Sequence, residues 1–143
     1  MNDASKRNSY QFPLGKHHRS EITTKSGRPL EELGIEQVSS GQVDSDDVSV
    51  SAETLELQAA FARESGYAEV AANLTRAAEM TRIPNSEILE IYEALRPGRS
   101  TYYELLSVSQ RVASMYSAQH TAAYIREAAD AYRDTGMLKV DEK

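Results

Sequence analysis

The most regular part of this sequence covers residues 100–136 and reads STYYELLSVSQRVASMYSAQHTAAYIREAADAYRDTG. Its apolar residues recur three and four positions apart, which is the spacing of one face of a helix. One apolar stripe extends from Tyr102 to Tyr116, and another extends from Ala122 to Tyr132. This part of the chain therefore predicts two consecutive amphipathic helices.

Four residues set the expected ends of these two helices. Pro97 disfavours helix at the residue before it, which predicts a turn ahead of the first helix. Ser100 is the expected N-cap, because a serine hydroxyl can accept a bond from the unpaired N–H groups of a first turn. No strong breaker separates the two helices, so we place a bend near Ser117. Gly136 is the expected C-cap of the second.

Three further helices are predicted upstream. Ser51 or Ser49 can cap the first, and Gly66 supplies its stop. The second begins near Tyr67, and Pro84 ends it or opens the third. Apolar residues three and four positions apart again mark one face of each helix.

The first 50 residues have a different composition. They contain four of the seven glycines and two of the four prolines, together with few large apolar residues. Such a segment is typical of extended chain and turns, with one short helix expected at about residues 30–39. We therefore predict an all-α fold: an extended, loop-rich segment at residues 1–50, followed by a small bundle of about five helices at residues 51–143.

The composition excludes several classes of protein. There are no cysteines, which excludes disulfides, thiolate nucleophiles and iron–sulfur clusters. Because 22 Asp and Glu outnumber 16 Lys and Arg, binding to a nucleic-acid backbone is not expected. No apolar run approaches the roughly 20 residues of a membrane span, and the N-terminus lacks the apolar core of a secretory signal. We expect a cytoplasmic protein that binds neither nucleic acid nor membrane.

Few residues are candidates for chemistry. The adjacent His17 and His18 have no acidic residue or histidine at ligand spacing, which favours a solvated pair over a metal site. The acidic cluster at residues 44–47 lacks the glycine and the terminal Glu of a calcium loop, which favours a turn and capping role, with a solvated acidic patch as the next choice. His120 is expected in a structural role. Arg76 and Glu79 have the spacing of an ordinary helix-surface pair. The sequence thus predicts no catalytic, cofactor-binding or metal-binding residue.

Apolar residues beyond a single stripe leave one question open. The first predicted helix carries Leu57, Ala60 and Phe61 beside its main line of Leu55 and Ala59. A second apolar face is typical of a helix that binds a partner, and equally of a central helix that is buried on both sides within its own chain.

Seven of the eight tyrosines fall into two groups, since a tyrosine buries a ring and keeps its hydroxyl at a polar edge. Those on the stripes are predicted to lie in the core: Tyr92, Tyr102, Tyr116 and Tyr132. For the tyrosines off the stripes, a position at an interface is predicted at least as strongly as a structural role: Tyr10, Tyr103 and Tyr124.

One stretch resembles a known family. Residues 76–101, RAAEMTRIPNSEILEIYEALRPGRST, are similar to the small (gamma) subunit of adenosylcobalamin-dependent diol and glycerol dehydratases. Three other stretches agree in order and spacing: YQFPLGKHH at 10–18, SAETLELQA at 51–59 and AAYIREAADAY at 122–132. The resemblance covers about residues 10–139. Gly98 departs from it, standing where the family usually has an aromatic residue.

The resemblance implies a heteromer with two copies each of a large (alpha), a medium (beta) and a small subunit. It implies that adenosylcobalamin and a metal ion are bound by the other subunits, and that 1,2-propanediol or glycerol is dehydrated to an aldehyde by a radical mechanism. This chain would be non-catalytic, with its N-terminal segment wrapped on a partner subunit. The long N-terminal extension of some diol-dehydratase small subunits is not expected here, which resembles the glycerol-dehydratase type and argues against packaging in a bacterial microcompartment. The alternative is a free-standing helical adaptor that binds a protein partner.

The residues predicted at the subunit interface lie in four places: the N-terminal segment, one turn and two helices. Two arginines project from the stiff turn at residues 95–101, where they suit bidentate contacts across an interface or, alternatively, a nearby Glu such as Glu93. The complete predicted set is Tyr10, Pro13, Leu14, Arg96, Pro97, Arg99, Tyr103 and Tyr124.

Overall fold

The computed structural model describes residues 10–140. Within that range the chain forms seven α-helices, a 3₁₀ helix at Leu30–Glu32 and two isolated bridges, with no longer strand. The helices are α1 (Leu14–His17), α2 (Ile35–Ser39), α3 (Ala52–Glu64), α4 (Ala68–Met80), α5 (Asn85–Ala94), α6 (Tyr102–Tyr116) and α7 (Gln119–Thr135). The all-α prediction is confirmed. No helix in this part of the chain has both the length and the apolar character required to cross a membrane.

The chain divides into two compact units, Met1–Leu74 and Thr75–Lys143, with the boundary inside α4. The first unit thus contains α3 and the start of α4 in addition to the loop-rich segment. The predicted assignment of domains at residues 1–50 and 51–143 stays a prediction.

The first unit is built around α3. Ser51 caps this helix as predicted, with its hydroxyl accepting a bond from the Thr54 N–H at 3.2 Å. The buried positions Ala52, Leu55 and Ala59 recur at helical spacing and face the interior. Gly66 follows the helix with a φ of 84°, a left-handed conformation that favours glycine.

The loop-rich segment is held by short backbone pairings. Thr23 forms a bridge with Pro29, and Thr24 forms one with Val50. The prediction of one continuous helix at about residues 30–39 is wrong. This segment is divided into the 3₁₀ turn and α2, because Gly34 takes an extended conformation as the N-cap of α2.

The core of the second unit lies among α5, α6 and α7. Its buried members are Ile83, Ile91, Val112, Ala118 and Ile125. Partly buried apolar side chains pack around them: Ile88, Leu95, Val108 and Tyr116.

Helices α6 and α7 form an antiparallel hairpin. Tyr102 near the start of α6 donates a hydrogen bond to Asp130 late in α7 at 2.9 Å. Midway along α6, the buried Ser109 donates to the Ala122 carbonyl at 2.7 Å. Ser117 adopts a left-handed conformation with a φ of 54° between the two helices. The predicted bend near Ser117 is therefore confirmed as a turn.

The cap of α6 differs from the prediction. Thr101 is the N-cap, and its hydroxyl accepts from the Glu104 N–H while the Glu104 carboxylate accepts from the Thr101 N–H. Ser100 instead donates to the Ala94 carbonyl at 2.8 Å. The reason is spacing: Thr101 has a glutamate three residues later, which completes a capping box, whereas Ser100 has Tyr103 there.

Candidate functional site

An apolar groove is the main concave feature described in the first unit. Its volume is about 780 Å³, and its walls come from α1, the loops around residues 22–33 and 48–50, α3 and the start of α4. Representative lining residues are Phe12, Leu14, Leu30, Val50, Phe61 and Val70. Two of the three N-terminal interface candidates, Pro13 and Leu14, line it, whereas Tyr10 does not.

The groove answers part of the question left by the second apolar face of α3. Phe61 on that face lies 6.0 Å from Phe12, measured between ring centroids, so the N-terminal segment covers some of it. Phe61 remains only half-buried, and Phe12 is exposed. Coverage by the chain itself is therefore incomplete.

The acidic cluster at residues 44–47 organises the loop beside the groove. Asp44 accepts hydrogen bonds from the N–H groups of Asp46 and Asp47, which confirms the predicted turn role. The predicted capping role is not observed, because Ser51 caps the helix that follows. The Asp47 side chain is buried and accepts from the Ser26 hydroxyl, with Arg28 3.5 Å away. The bond from Ser26, together with one from the Asp44 N–H, holds the pKa of Asp47 below its ordinary value. These bonds tie residues 44–47 to the loop around residue 26.

The described residues bring no group of three His, Asp or Glu side chains together in a way that could hold a metal ion. His18 Nδ1 pairs with Glu21 at 2.8 Å, and its Nε2 accepts from the Gln11 N–H at 2.9 Å. The neighbouring His17 is exposed on α1. The predicted solvated pair is therefore right for His17 but wrong for His18, whose side chain is mostly buried and paired with Glu21.

Glu79 has a role that the sequence did not reveal. It was predicted as a surface partner of Arg76, but it is buried at the end of α4. Its carboxylate accepts from the N–H groups of His120 and Thr121 and from the Thr121 hydroxyl, and it pairs with His120 Nδ1 at 2.8 Å. The predicted structural role of His120 is confirmed. No sequence signal could have found this site, because its partners lie 41 and 42 positions away.

The two arginines of the turn at residues 95–101 both reach one carboxylate. Arg96 contacts Glu93 at 2.9 Å, and Arg99 contacts it at 3.1 Å. The bond from Arg96, aided by the charges of both guanidinium groups, lowers the pKa of Glu93. Within this chain, both arginines therefore contact Glu93, which was the alternative to an interface role. Both arginines nevertheless remain exposed, and so does Pro97 between them. Their interface role stays a prediction.

Of the four tyrosines predicted in the core, three are partly buried and one is exposed. Tyr92 is 60% exposed, so its core assignment is wrong. The reason is that Ile88, Ile91 and Leu95 already form the buried face of α5. Tyr102 and Tyr132 are half-buried with their hydroxyls donating to Asp130 and to the Leu95 carbonyl, and Tyr116 packs against the core.

The tyrosines predicted at an interface occupy different units. Tyr103 is 78% exposed on α6, and Tyr124 is exposed on α7 with the Arg76 guanidinium 4.7 Å from its ring centroid. Tyr10, in the first unit, is half-buried against His18. No single surface of one unit contains all eight candidates.

The family of the chain follows from comparison with known proteins. A family model for the dehydratase small subunit matches residues 7–139. The chain belongs to the dehydratase small subunit family. It is 40% identical over 131 residues to the propanediol dehydratase small subunit of Salmonella typhimurium (strain LT2), covering 92% of this chain and 76% of the relative. The propanediol dehydratase small subunit of Citrobacter freundii gives the same identity and coverage.

Membership confirms the resemblance seen in the sequence. The chain is the small subunit of a diol dehydratase, so it has partner subunits. Its polar clusters are accordingly understood as supports of the fold, and its exposed apolar residues as candidate contacts with those partners.

Proposed function

We propose that this small subunit is a non-catalytic component of a carbon–oxygen lyase that dehydrates 1,2-propanediol or glycerol to the corresponding aldehyde by a radical mechanism. The observation that carries the proposal is the 40% identity to two propanediol dehydratase small subunits over 92% of the chain. In the proposed assembly, two copies each of a large, a medium and a small subunit associate. The enzyme is cytoplasmic, with microcompartment association left open.

The cofactor requirements fall on the other subunits in this proposal. Adenosylcobalamin supplies the radical that begins the reaction, and a metal ion binds near the substrate. In the small subunit, the buried carboxylates of Glu79 and Asp47 accept hydrogen bonds from the chain's own backbone and hydroxyl groups.

The proposed contribution of this chain is to stabilise the partner subunits through direct contacts. Its loop-rich N-terminal segment, residues 1–50, wraps on a partner, and the corner at residues 95–101 presents Arg96 and Arg99 to one. Exposed apolar side chains on both units support such contacts, because a soluble chain seldom leaves many of them uncovered.

The test is assembly with the dehydratase large and medium subunits from the organism that encodes this chain. Co-expression with a tagged large subunit is expected to recover all three chains in a fixed ratio, and aldehyde formation should require each of them. The Salmonella typhimurium small subunit serves as the positive control. If this chain fails to associate and instead melts sharply as a monomer, it is a free-standing adaptor and the proposal is wrong.

A further inference from the structure

The walls of the apolar groove in the first unit are themselves uncovered. Phe12, Val48, Tyr67 and Val70 all line it, and each is at least half exposed. Contiguous exposure of large apolar side chains is costly in water and marks an interaction surface. The feature is therefore a candidate binding site.

The exposure of these walls distinguishes a protein segment from a small molecule as the occupant. Small-molecule sites bury most of the surface of their ligand between walls that are largely enclosed. A small molecule in this groove would leave Phe12 and Tyr67 in water. A segment of protein chain can fill the groove and cover both rims together, in the way that grooves receive extended or helical peptides.

Charge indicates what kind of segment this is. The first unit, Met1–Leu74, holds 12 Asp and Glu against 7 Lys and Arg, and so carries −5 of the formal charge of −6. Exposed acidic residues adjoin the groove lining in sequence: Glu31 and Glu32 follow Leu30, and Glu69 precedes Val70. Complementary potential steers partners together and suppresses wrong ones.

We infer that this groove is the docking site for an apolar segment of a partner dehydratase subunit that carries Lys or Arg side chains beside its apolar residues. The inference rests on the proposed function and adds to it the place of docking and the chemistry of the docked segment. It also assigns a role to Phe61 and Val70, which were not among the predicted interface residues.

The apolar part of this inference is tested by substituting one valine that lines the groove and one that does not. Val70→Asp places a charge in the groove, whereas Val38→Asp places one at a valine of α2 that does not line it. Val70 is 50% exposed and Val38 is 56% exposed, so neither aspartate is forced into a closed core. In the assembled enzyme, we expect Val70→Asp to raise the dissociation constant of the small subunit about tenfold or more, with Val38→Asp within about twofold of wild type.

The charge component is tested with a second matched pair. Glu69→Lys reverses a charge next to Val70, and Glu36→Lys reverses one on α2. We expect Glu69→Lys to slow association several-fold, and we expect about 0.5 M salt to abolish that difference through screening. Far-UV circular dichroism of all four variants checks that folding is retained.

Each outcome decides the inference. Suppose that the wild type assembles but that the Val70→Asp and Val38→Asp variants have equal dissociation constants. That result would overturn the inference and leave the proposed function intact. Failure of the wild type to assemble would overturn both. If the isolated chain self-associates and Val70→Asp abolishes that self-association, the groove binds a second copy of this chain and the inference is overturned. Retention of a hydrophobic dye in the groove after assembly would show that no partner segment enters it.

Discussion

Glu79 and Thr121, which lie 42 positions apart, are joined by two hydrogen bonds of 2.7 Å each. One bond comes from the Thr121 N–H and the other from its hydroxyl, and both end on the same carboxylate oxygen. A negative group at this position also interacts favourably with the N-terminal dipole of α7. The end of α4 is thereby fixed to the start of α7.

Loss of this carboxylate is expected to destabilise the protein. Glu79→Gln retains the shape but replaces one accepting oxygen with an NH₂ group that faces N–H donors. We expect the free energy of unfolding to fall by about 2 kcal/mol, as for other charge-assisted bonds. Urea unfolding of the full chain measures it. Glu90→Gln, at an exposed position of α5, is the control and should change little; equal effects of the two substitutions would contradict the role of Glu79.

The stability conferred by Glu79 is expected to depend on pH. Burial alone would raise its pKa, but the bonds from His120 and Thr121 outweigh burial and lower the pKa below the ordinary 4.5. A carboxyl with a lowered folded-state pKa stabilises the protein fully above its unfolded-state value and ceases to do so as the pH falls through the folded-state value. The difference in unfolding free energy between wild type and Glu79→Gln should therefore be constant above about pH 5.5 and shrink below about pH 4.5. A difference that grows on acidification would refute this account.

The contact between Ser109 and Ala122 sets how closely α6 and α7 approach. Ser109 has no exposed surface, so a larger side chain has no room without displacement of α7. We expect Ser109→Leu to reduce the free energy of unfolding by about 3 kcal/mol through overpacking. Ser107→Leu, at an exposed position two residues earlier, should be nearly neutral. Thermal melts of both variants test this, and similar melting temperatures would show that the hairpin is loosely packed.

The corner arginines are predicted to contribute to association with a partner subunit. Arg96→Ala or Arg99→Ala should raise the dissociation constant of the assembly roughly thirtyfold where the contact is desolvated, with little change in helicity. Glu93→Ala separates this role from the internal one, since it removes the carboxylate that both arginines contact. Unchanged dissociation together with reduced helicity would mean that the arginines only brace the turn.

No histidine or loop carboxylate of this chain is predicted to take part in the chemical step. Substitution of His17, His18, Asp46 or His120 with alanine should leave the turnover of the assembled enzyme within a few-fold of wild type. The contacts of His18, Asp46 and His120 support this, because they bind Glu21, Lys25 and Glu79 within the chain. A loss of about a thousandfold in kcat with assembly intact would reveal a missed catalytic group.

Local signals allowed much of the fold to be predicted. The cap at Ser51, the stop at Gly66, the turn at Ser117 and the C-cap at Gly136 depend on neighbours within a few residues, and all four were found. The cap at Thr101 was missed by one position although its glutamate was visible in the sequence. Helix faces were predicted where the apolar period was strong, and Tyr92 was misplaced because its stripe had more apolar residues than the core could cover.

The sequence by itself determined that this chain is helical, acidic and similar to dehydratase small subunits, because periodicity, capping and motif order are properties of nearby residues. Only the tertiary structure decided that Glu79 caps α7 and that Phe12, Phe61 and Val70 share one groove. Most of these contacts join positions tens of residues apart, and their formation depends on how loops close and helices pack. No local pattern encodes that geometry, because the same residue types at the same spacing also occur on helix faces that make no such contacts.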